Sequence, residues 1–576
     1  MLKLFKHLKP FAVSVIVVIL LFFIQSLAEL YLPTLMSDIV NEGIVKNDTN
    51  YIIHIGRIMI LVALGDAVCV VVANFIGSKV AVALGRNLRD ILFKKAEKFS
   101  LHEFDKVGTA SMITRTTNDI VQVQQVLVMI MRMMISAPLM CIGGIIMAIH
   151  KDAELSIIFA VVIPLLLIFI GVFLLKGLPY FRVMQEKLDK LNLVAREGLT
   201  GIRVIRAFNR INSEKKKFKK ANMEIRDVGL KVNRLMAGMM PVMMFSLSAT
   251  QIAVVWFGGL RIDSGHMQVG DMMAFIQYAM QIMFSFLMMA IMFVMIPRAQ
   301  ASAVRINEVL GMEPEIVDKE NVSNVQGDKR GYIEFKDVTF NYFGAEQPAI
   351  SNISFSAKPG EITAIIGGTG SGKSTLVNLI PRFYDVTEGS ILVDGVDVRD
   401  MSQETLRSKI GFVPQKAVLF TGSINDNIRY GKDDATEEEI SKAADIAQAT
   451  EFISNMKDGF NSVISQGGNN VSGGQKQRLS IARALVRRPE IYVFDDSFSA
   501  LDFKTDARLR AALKNETKES TVIIIAQRVS TVMDADRIIV LDEGKISGIG
   551  NHKELLNTCD VYREIVYSQL SEEELA

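Results

Sequence analysis

Residues 362–375 read ITAIIGGTGSGKST, and the chain continues as LVNLIPRFY. Residues 362–366 are largely apolar and β-prone, as suits a strand buried on both faces. Residues 376–384 carry a helical pattern. Between them lies the spacing Gly-x4-Gly-Lys-Ser, from Gly367 to Ser374. In a strand–loop–helix setting this spacing builds a phosphate cradle, because glycines let backbone N–H groups wrap the phosphates and the helix N-terminus adds partial positive charge. Lys373 then reaches the outer phosphates and Ser374 ligates magnesium. Gly367, Gly368, Thr369, Gly370, Ser371, Gly372, Lys373, Ser374 and Thr375 are therefore candidate nucleotide ligands.

Two later stretches extend this chemistry. Residues 491–502, IYVFDDSFSALD, begin as a buried strand that would deliver the Asp495 carboxylate to a metal-bound phosphate. Asp496 follows it, where a group is needed to orient or deprotonate the attacking water. Residues 471–478, VSGGQKQR, place a Ser-Gly-Gly-Gln turn at the start of a helix that ends near Pro489. That turn is a second anion-binding device, and one nucleotide rarely needs both from one chain.

The chain has 576 residues, too many for a single core, and 50% of them are hydrophobic. Six windows, 11–33, 58–77, 127–148, 155–175, 241–260 and 272–296, are long and apolar enough to span a bilayer, which takes about twenty residues. The connections after the second and fourth are long and basic, with Arg86, Arg89, Lys94, Lys95 and Lys98, then Lys187, Lys190 and the cluster at 215–220. Residues 36–50, 150–154 and 262–271 hold only Lys46 and Lys151. Positive charge concentrates on the cytoplasmic side, so both termini are expected there. Lys3, Lys6 and Lys9 before the first window resemble a signal peptide, but five further spans and a helical continuation favour a membrane helix. Cys69, Cys141 and Cys559 are scattered and imply neither disulfides nor a metal site. The Asn47-Asp48-Thr49 sequon reads as a chance match, and a net charge of +2 leaves no footprint for nucleic acid.

Residues 298–312 still read as helix, whereas 313–330 are polar and aperiodic, with Pro314 and Gly327, as a linker is. From Gly331, short β-rich runs alternate with polar helical stretches, the signature of an α/β domain. The expected organisation is a transmembrane domain at 1–312, a linker at 313–330 and a nucleotide-binding domain at 331–576.

The order of these motifs resembles the ATP-binding cassette transporters, specifically exporter half-transporters that fuse both domains on one chain. The resemblance covers essentially the whole sequence. It implies a six-helix transmembrane domain with long cytoplasmic extensions, joined to an α/β P-loop domain with a helical subdomain, and ATP with Mg2+ as cofactors. Tyr342 resembles the aromatic that stacks on adenine. Gln415, in Phe412-Val413-Pro414-Gln415, resembles the glutamine that touches magnesium and the membrane domain, so Ser374, Gln415 and Asp495 form the implied metal set. Ser472, Gly473, Gly474 and Gln475 match the signature, with Val471 in place of the usual leucine, and Asp502 closes a Ser499-Ala500-Leu501-Asp502 loop. In this family two nucleotide domains pair head to tail, and each ATP lies between one chain's phosphate loop and the other's signature.

Two positions depart from the pattern. Asp496 stands in place of the catalytic glutamate, and Gln527, in Ile525-Ala526-Gln527-Arg528, in place of the switch histidine. Glutamine can hydrogen-bond a phosphate but cannot carry the histidine's charge. Gln466 occupies a position where glutamate is common. The combination resembles the degenerate-site subunit of a heterodimeric, multidrug-type exporter of the plasma membrane, moving an amphipathic small molecule, lipid or peptide. A slow homodimer, or an ATP-gated channel or regulatory subunit, is the alternative.

In the membrane half, residues 109–124, with Arg115, Asn118 and Asp119, and residues 196–210 resemble the family's two coupling loops. Glu29, Asp66 and Arg132 are the notable ionisable residues inside the spans, and such residues are functional candidates by default. Fourteen of the thirty methionines fall between Met236 and Met295, as packing filler or as lining for a permissive cavity. Phe245, Trp256, Phe275, Tyr278, Phe284 and Phe286 are aromatic candidates for the same path.

Overall fold

The computed structural model describes residues 1–319 and 330–570, so 320–329 of the expected linker lie outside the described residues. The chain divides into two compact units, Met1–Glu97 with Val107–Met312, and Lys98–Lys106 with Glu313–Ala576. Residues 98–106, expected from sequence in the transmembrane half, thus pack with the second unit.

All six apolar windows are helical, and every helix outruns its window. The helices are α1 (Ala12–Asp38), α2 (Thr49–Glu97), α3 (Ile120–Lys151), α4 (Ile157–Thr200), α5 (Ile211–Asp263) and α6 (Val269–Gly311). The 53 residues of α5 extend about 80 Å at 1.5 Å per residue, against a hydrocarbon layer of about 30 Å. The surplus is polar, because only the apolar stretch can sit in lipid. Leu155, inside the fourth window, lies in a turn before α4, where its N–H donates to Asp152 Oδ1 at 2.8 Å.

Helices α1, α2, α3 and α6 pack together, and α4 pairs with α5. Phe159 of α4 stacks on Phe275 of α6 at 5.0 Å. Lys151 Nζ lies 2.8 Å from Asp271 Oδ1 and 3.0 Å from Ser37 Oγ, pinning α3, α6 and α1 at one end. Along the α4–α5 extension, Glu224 accepts from Lys187 at 2.9 Å and Lys190 at 3.1 Å. Asp119 is buried and accepts from Ser302 Oγ at 2.9 Å and Arg305 Nε at 2.7 Å, while Arg115 lies 2.8 Å from Glu308. Two charged residues of the expected first coupling loop are therefore spent on α6 within their own unit.

The second unit is built on two sheets. Strands β1 (Ile333–Phe340), β2 (Ile350–Ala357), β4 (Glu388–Val393) and β5 (Val396–Asp397) form an antiparallel sheet in the order β2-β1-β4-β5. Strands β3 (Ile362–Gly367), β6 (Ile410–Val413), β7 (Ile491–Asp495), β8 (Thr521–Ile525), β9 (Arg537–Asp542) and β10 (Lys545–Gly550) form a sheet ordered β10-β9-β3-β8-β7-β6. It is parallel except for β10. Alternate residues of β3 serve opposite cores, Ala364 and Ile366 on one face and Ile365 on the other, which is why the strand reads as one apolar run. Short helices at Ile424–Arg429 and Glu437–Ile446 pack on α8 (Gly473–Arg487) as a helical layer.

Replacing Asp119 by alanine removes the acceptor shared by Ser302 and Arg305. Arg305 keeps partial access to water, so the expected cost is about 1–3 kcal/mol. It is read as a lower thermal unfolding midpoint in detergent, and an unchanged midpoint would show that the network is idle.

Candidate nucleotide site

The loop after β3 is held ready by its own bonds. Lys373 Nζ donates to the carbonyls of Gly367 at 2.9 Å and Gly368 at 2.6 Å, and Ser374 Oγ donates to Asp495 Oδ1 at 3.0 Å. Gly372 has φ +92°, and a Cβ there would fall 2.7 Å from Ile350 Cγ2, so glycine is required. The helix that follows, α7 (Lys373–Leu379), is shorter than the sequence pattern suggests. Pro381 and Arg382, the latter at φ +53°, turn the chain instead. That turn brings Tyr384 to the site.

Tyr342 lies edge-on to Phe340 at 4.9 Å and Tyr384 at 5.5 Å, with its hydroxyl 3.1 Å from Thr375 Oγ1. It is 38% exposed, so a ring beside the phosphate loop remains available for stacking. Phe340 and Tyr384 escape sequence analysis because they flank Tyr342 only once β1 and the turn after α7 meet. The segment at 98–106 lies at the same edge, with His102 5.1 Å from the ring of Phe343.

Every residue of β7 is buried, and the strand presents Asp495 and Asp496 at its end, 5% and 8% exposed. Asp496 takes φ +46°, an αL geometry that aspartate tolerates. Its Oδ2 accepts from Gln415 Nε2 at 3.2 Å and from Gln527 Nε2 at 3.0 Å. Sequence analysis singled out all three residues but not their convergence on one oxygen. Arg528, not singled out, donates to Ser499 O at 3.1 Å and lies over Phe503, and its charge favours ionised Asp496. Burial pushes both carboxyls above the ordinary aspartate range and pushes the Lys373 ammonium down. The charge of Asp496 adds to the upward shift of Asp495. Two carboxylates facing one lysine favour a cation, and the Ser374 hydroxyl, Asp495 carboxylate and Gln415 amide oxygen are hard donors that fit Mg2+.

Ser472 caps α8 reciprocally with Gln475, the serine Oγ accepting from Gln475 N at 3.3 Å and the Gln475 side chain accepting from Ser472 N at 2.8 Å. A Cβ on Gly474 would lie 3.0 Å from Ala500 O, whereas one on Gly473 would meet nothing within 4 Å, so the close approach at this helix start is at Gly474. Among the described residues, no hydrogen bond joins Ser472–Gln475 to the phosphate loop. Asp502 caps the helix Phe503–Glu516 through Thr505 N at 3.0 Å. Gln466 is exposed in a short turn.

The intramembrane candidates do not form one cluster. Glu29 and Arg132 line a cavity of about 420 Å³ with Gln25, Ser136, Gln281 and Met280, and Gln281 Oε1 and Ser136 Oγ are buried there without partners among the described residues. Asp66 lines a different cavity. Phe284 lines the Glu29 cavity, whereas Phe275, Tyr278 and Phe286 are core residues and Phe245 and Trp256 are exposed. Methionine divides likewise: Met243, Met267 and Met283 are buried filler, and Met280 and Met288 line the cavity.

A phosphate loop, a carboxylate strand and a capped signature helix, on a chain that also carries six long apolar helices, define a membrane protein with a fused nucleotide domain. The ABC transporter transmembrane region family matches residues 15–286, and the ABC transporter family matches residues 350–499. An ABC transporter ATP-binding protein of Mycobacterium tuberculosis is 42% identical over 98% of this chain and 97% of its own length. A multidrug resistance ABC transporter ATP-binding and permease protein of Lactococcus lactis is 30% identical over 99% and 95%. The structure of a bacterial Atm1-family ABC exporter with ATP bound shares the fold, with TM-score 0.78 and 24% identity, covering 98% of this chain and 99% of that one. The chain belongs to the ABC transporter family, with its membrane and ATP-binding domains on one polypeptide.

Tyr342→Ala should weaken ATP binding about tenfold through loss of one stacking face, while Tyr342→Phe stays within about twofold. Titration with a fluorescent ATP analogue separates the two. Equal losses would assign the tyrosine's role to its hydroxyl.

Proposed function

We propose that this chain is one half of an ATP-driven exporter, that it pairs with a second, related half-transporter, and that its own phosphate site hydrolyses ATP slowly. The observation that carries the last point is the pair of amide donors, Gln415 and Gln527, on a single oxygen of Asp496. Aspartate is one methylene shorter than glutamate, and a misplacement of about 1 Å can cost on the order of a hundredfold in rate. Gln527 offers a hydrogen bond to a phosphate but relays no proton.

In this reading Tyr342 stacks on adenine, the 367–375 backbone wraps the phosphates, and Lys373 leaves its carbonyls to pair with them. Ser374, Asp495 and Gln415 would hold Mg2+, which neutralises phosphate charge. Ser472, Gly473, Gly474 and Gln475 act on the nucleotide bound to the partner chain. Support for a partner also comes from residues 199–208, where Leu199, Val204 and Phe208 are 76%, 61% and 74% exposed. Apolar side chains so exposed on one short segment, from the end of α4 through the helical stretch Ile202–Ala207 to Phe208, suit a second chain. A pair of identical chains would hold two slow sites, so a heterodimer explains the intact signature better than a homodimer. The Lys/Arg asymmetry of the connections supports a cytoplasmic side for both termini and the nucleotide domain. Similarity to the lactococcal multidrug resistance transporter supports an amphipathic cargo moved out across the plasma membrane, through the cavity lined by Glu29 and Arg132.

Asp496→Glu combined with Gln527→His should raise ATP turnover of the assembled pair by about tenfold or more. Vigorous ATPase activity of the unmodified chain alone would sink the slow-site reading. Nucleotide-dependent conductance without uphill transport would favour a channel.

A further inference from the structure

A second cavity lies between α1, α2 and α3, with a volume of about 700 Å³, and it is lined by residues such as Ile24, Leu27, Tyr31, Val62 and Ile146. Among the described residues, Asp66 is the one carboxylate in that lining, and no Lys, Arg or His joins it. Its Oδ1 is buried and without a hydrogen-bond partner among the described residues. It is also the only charged residue between positions 58 and 77. Glu29, on α1, lies within electrostatic reach of both Asp66 and Arg132. Glu29 thus has a cation in reach, whereas Asp66 has none among the described residues.

A carboxylate held at membrane depth is expensive unless something compensates it. A neutral lipid chain could fill the apolar walls but would leave the carboxylate as costly as before. An anion would meet a like charge. A ligand with a positive centre on an apolar body satisfies both the walls and Asp66, and the volume lies within the range of small-molecule sites. We propose that this cavity binds cationic amphipaths, of the quaternary ammonium or phosphonium class, with the Asp66 carboxylate as counter-ion. The proposal narrows the amphipathic cargo of the exporter reading and rests on it for any role in transport. Its test is equilibrium binding, so failure of the export or heterodimer reading leaves it standing.

The probe is radiolabelled tetraphenylphosphonium, titrated onto the full-length transporter in detergent, with ATP-analogue binding as the check on folding. Asp66→Asn is expected to weaken binding at least about tenfold, and Asp66→Glu to stay within about threefold of the parent. Tetraphenylborate, of the same shape and opposite charge, should fail to compete. Unchanged affinity in Asp66→Asn, or competition by the borate, would overturn the proposal. So would a loss confined to Glu29→Gln, which would assign the cation to the other cavity. A partner helix filling the cavity would leave the probe affinity indifferent to Asp66, again overturning it.

Discussion

The chemistry of the second unit depends on one constraint, the alignment of parallel strand ends. β3, β8, β7 and β6 are neighbours in the sheet and run the same way. Whatever follows each strand must therefore emerge on the same edge. The phosphate loop follows β3, Gln527 follows β8, Asp495 and Asp496 close β7, and Gln415 follows β6. Residues more than a hundred positions apart in sequence thus converge because the sheet leaves them no other exit. Burial of every β7 side chain adds precision, since a strand that cannot shift cannot misplace its last two carboxylates.

The same constraint explains what the sequence disclosed and what it hid. Lys373, Ser374, Asp495 and the capped Ser472–Gln475 turn are local spacing problems, each solved within a few residues. The helical spans were legible for the same reason, but only as far as their apolar stretch, because a solvated extension has no lipid pattern to read. Tyr384 was hidden because its approach to Tyr342 needs a turn at Pro381 and Arg382 inside a run that reads as helix. Residues 98–106 were hidden because a short amphipathic segment does not announce which unit will bury Glu103, which accepts from the backbone of Ser100 at 2.7 Å and of Glu315 at 3.3 Å.

Within the membrane half, charge inside the apolar windows singled out Glu29, Asp66 and Arg132 without saying which helix face each would take. Packing decides that, and it divides them between two cavities with different demands. The cavity with Glu29 and Arg132 carries both signs of charge and unpartnered polar atoms, so it suits polar portions of a cargo. The Asp66 cavity carries one sign and apolar walls. An amphipathic molecule has both kinds of surface, which makes a division between two cavities chemically reasonable in one transporter.

The nucleotide site is itself divided, and the division lies in which bonds a ligand can replace. Lys373 rests on two neutral carbonyls of its own loop, and Ser374 rests on Asp495. Phosphate oxygens are better acceptors than carbonyls for an ammonium, so nucleotide arrival exchanges weaker partners for stronger ones and leaves no donor orphaned. Asp496 is in the opposite position. Its donors are two amides anchored by the ends of β6 and β8, and a bound phosphate offers them no acceptor stronger than the carboxylate they already hold unless one amide swings away. The binding half of the site is thus poised to exchange, whereas the hydrolytic half starts from a satisfied state. In the proposed slow-site reading, this is a site that holds nucleotide longer than it turns it over, while the signature helix on the same chain is free of that restraint.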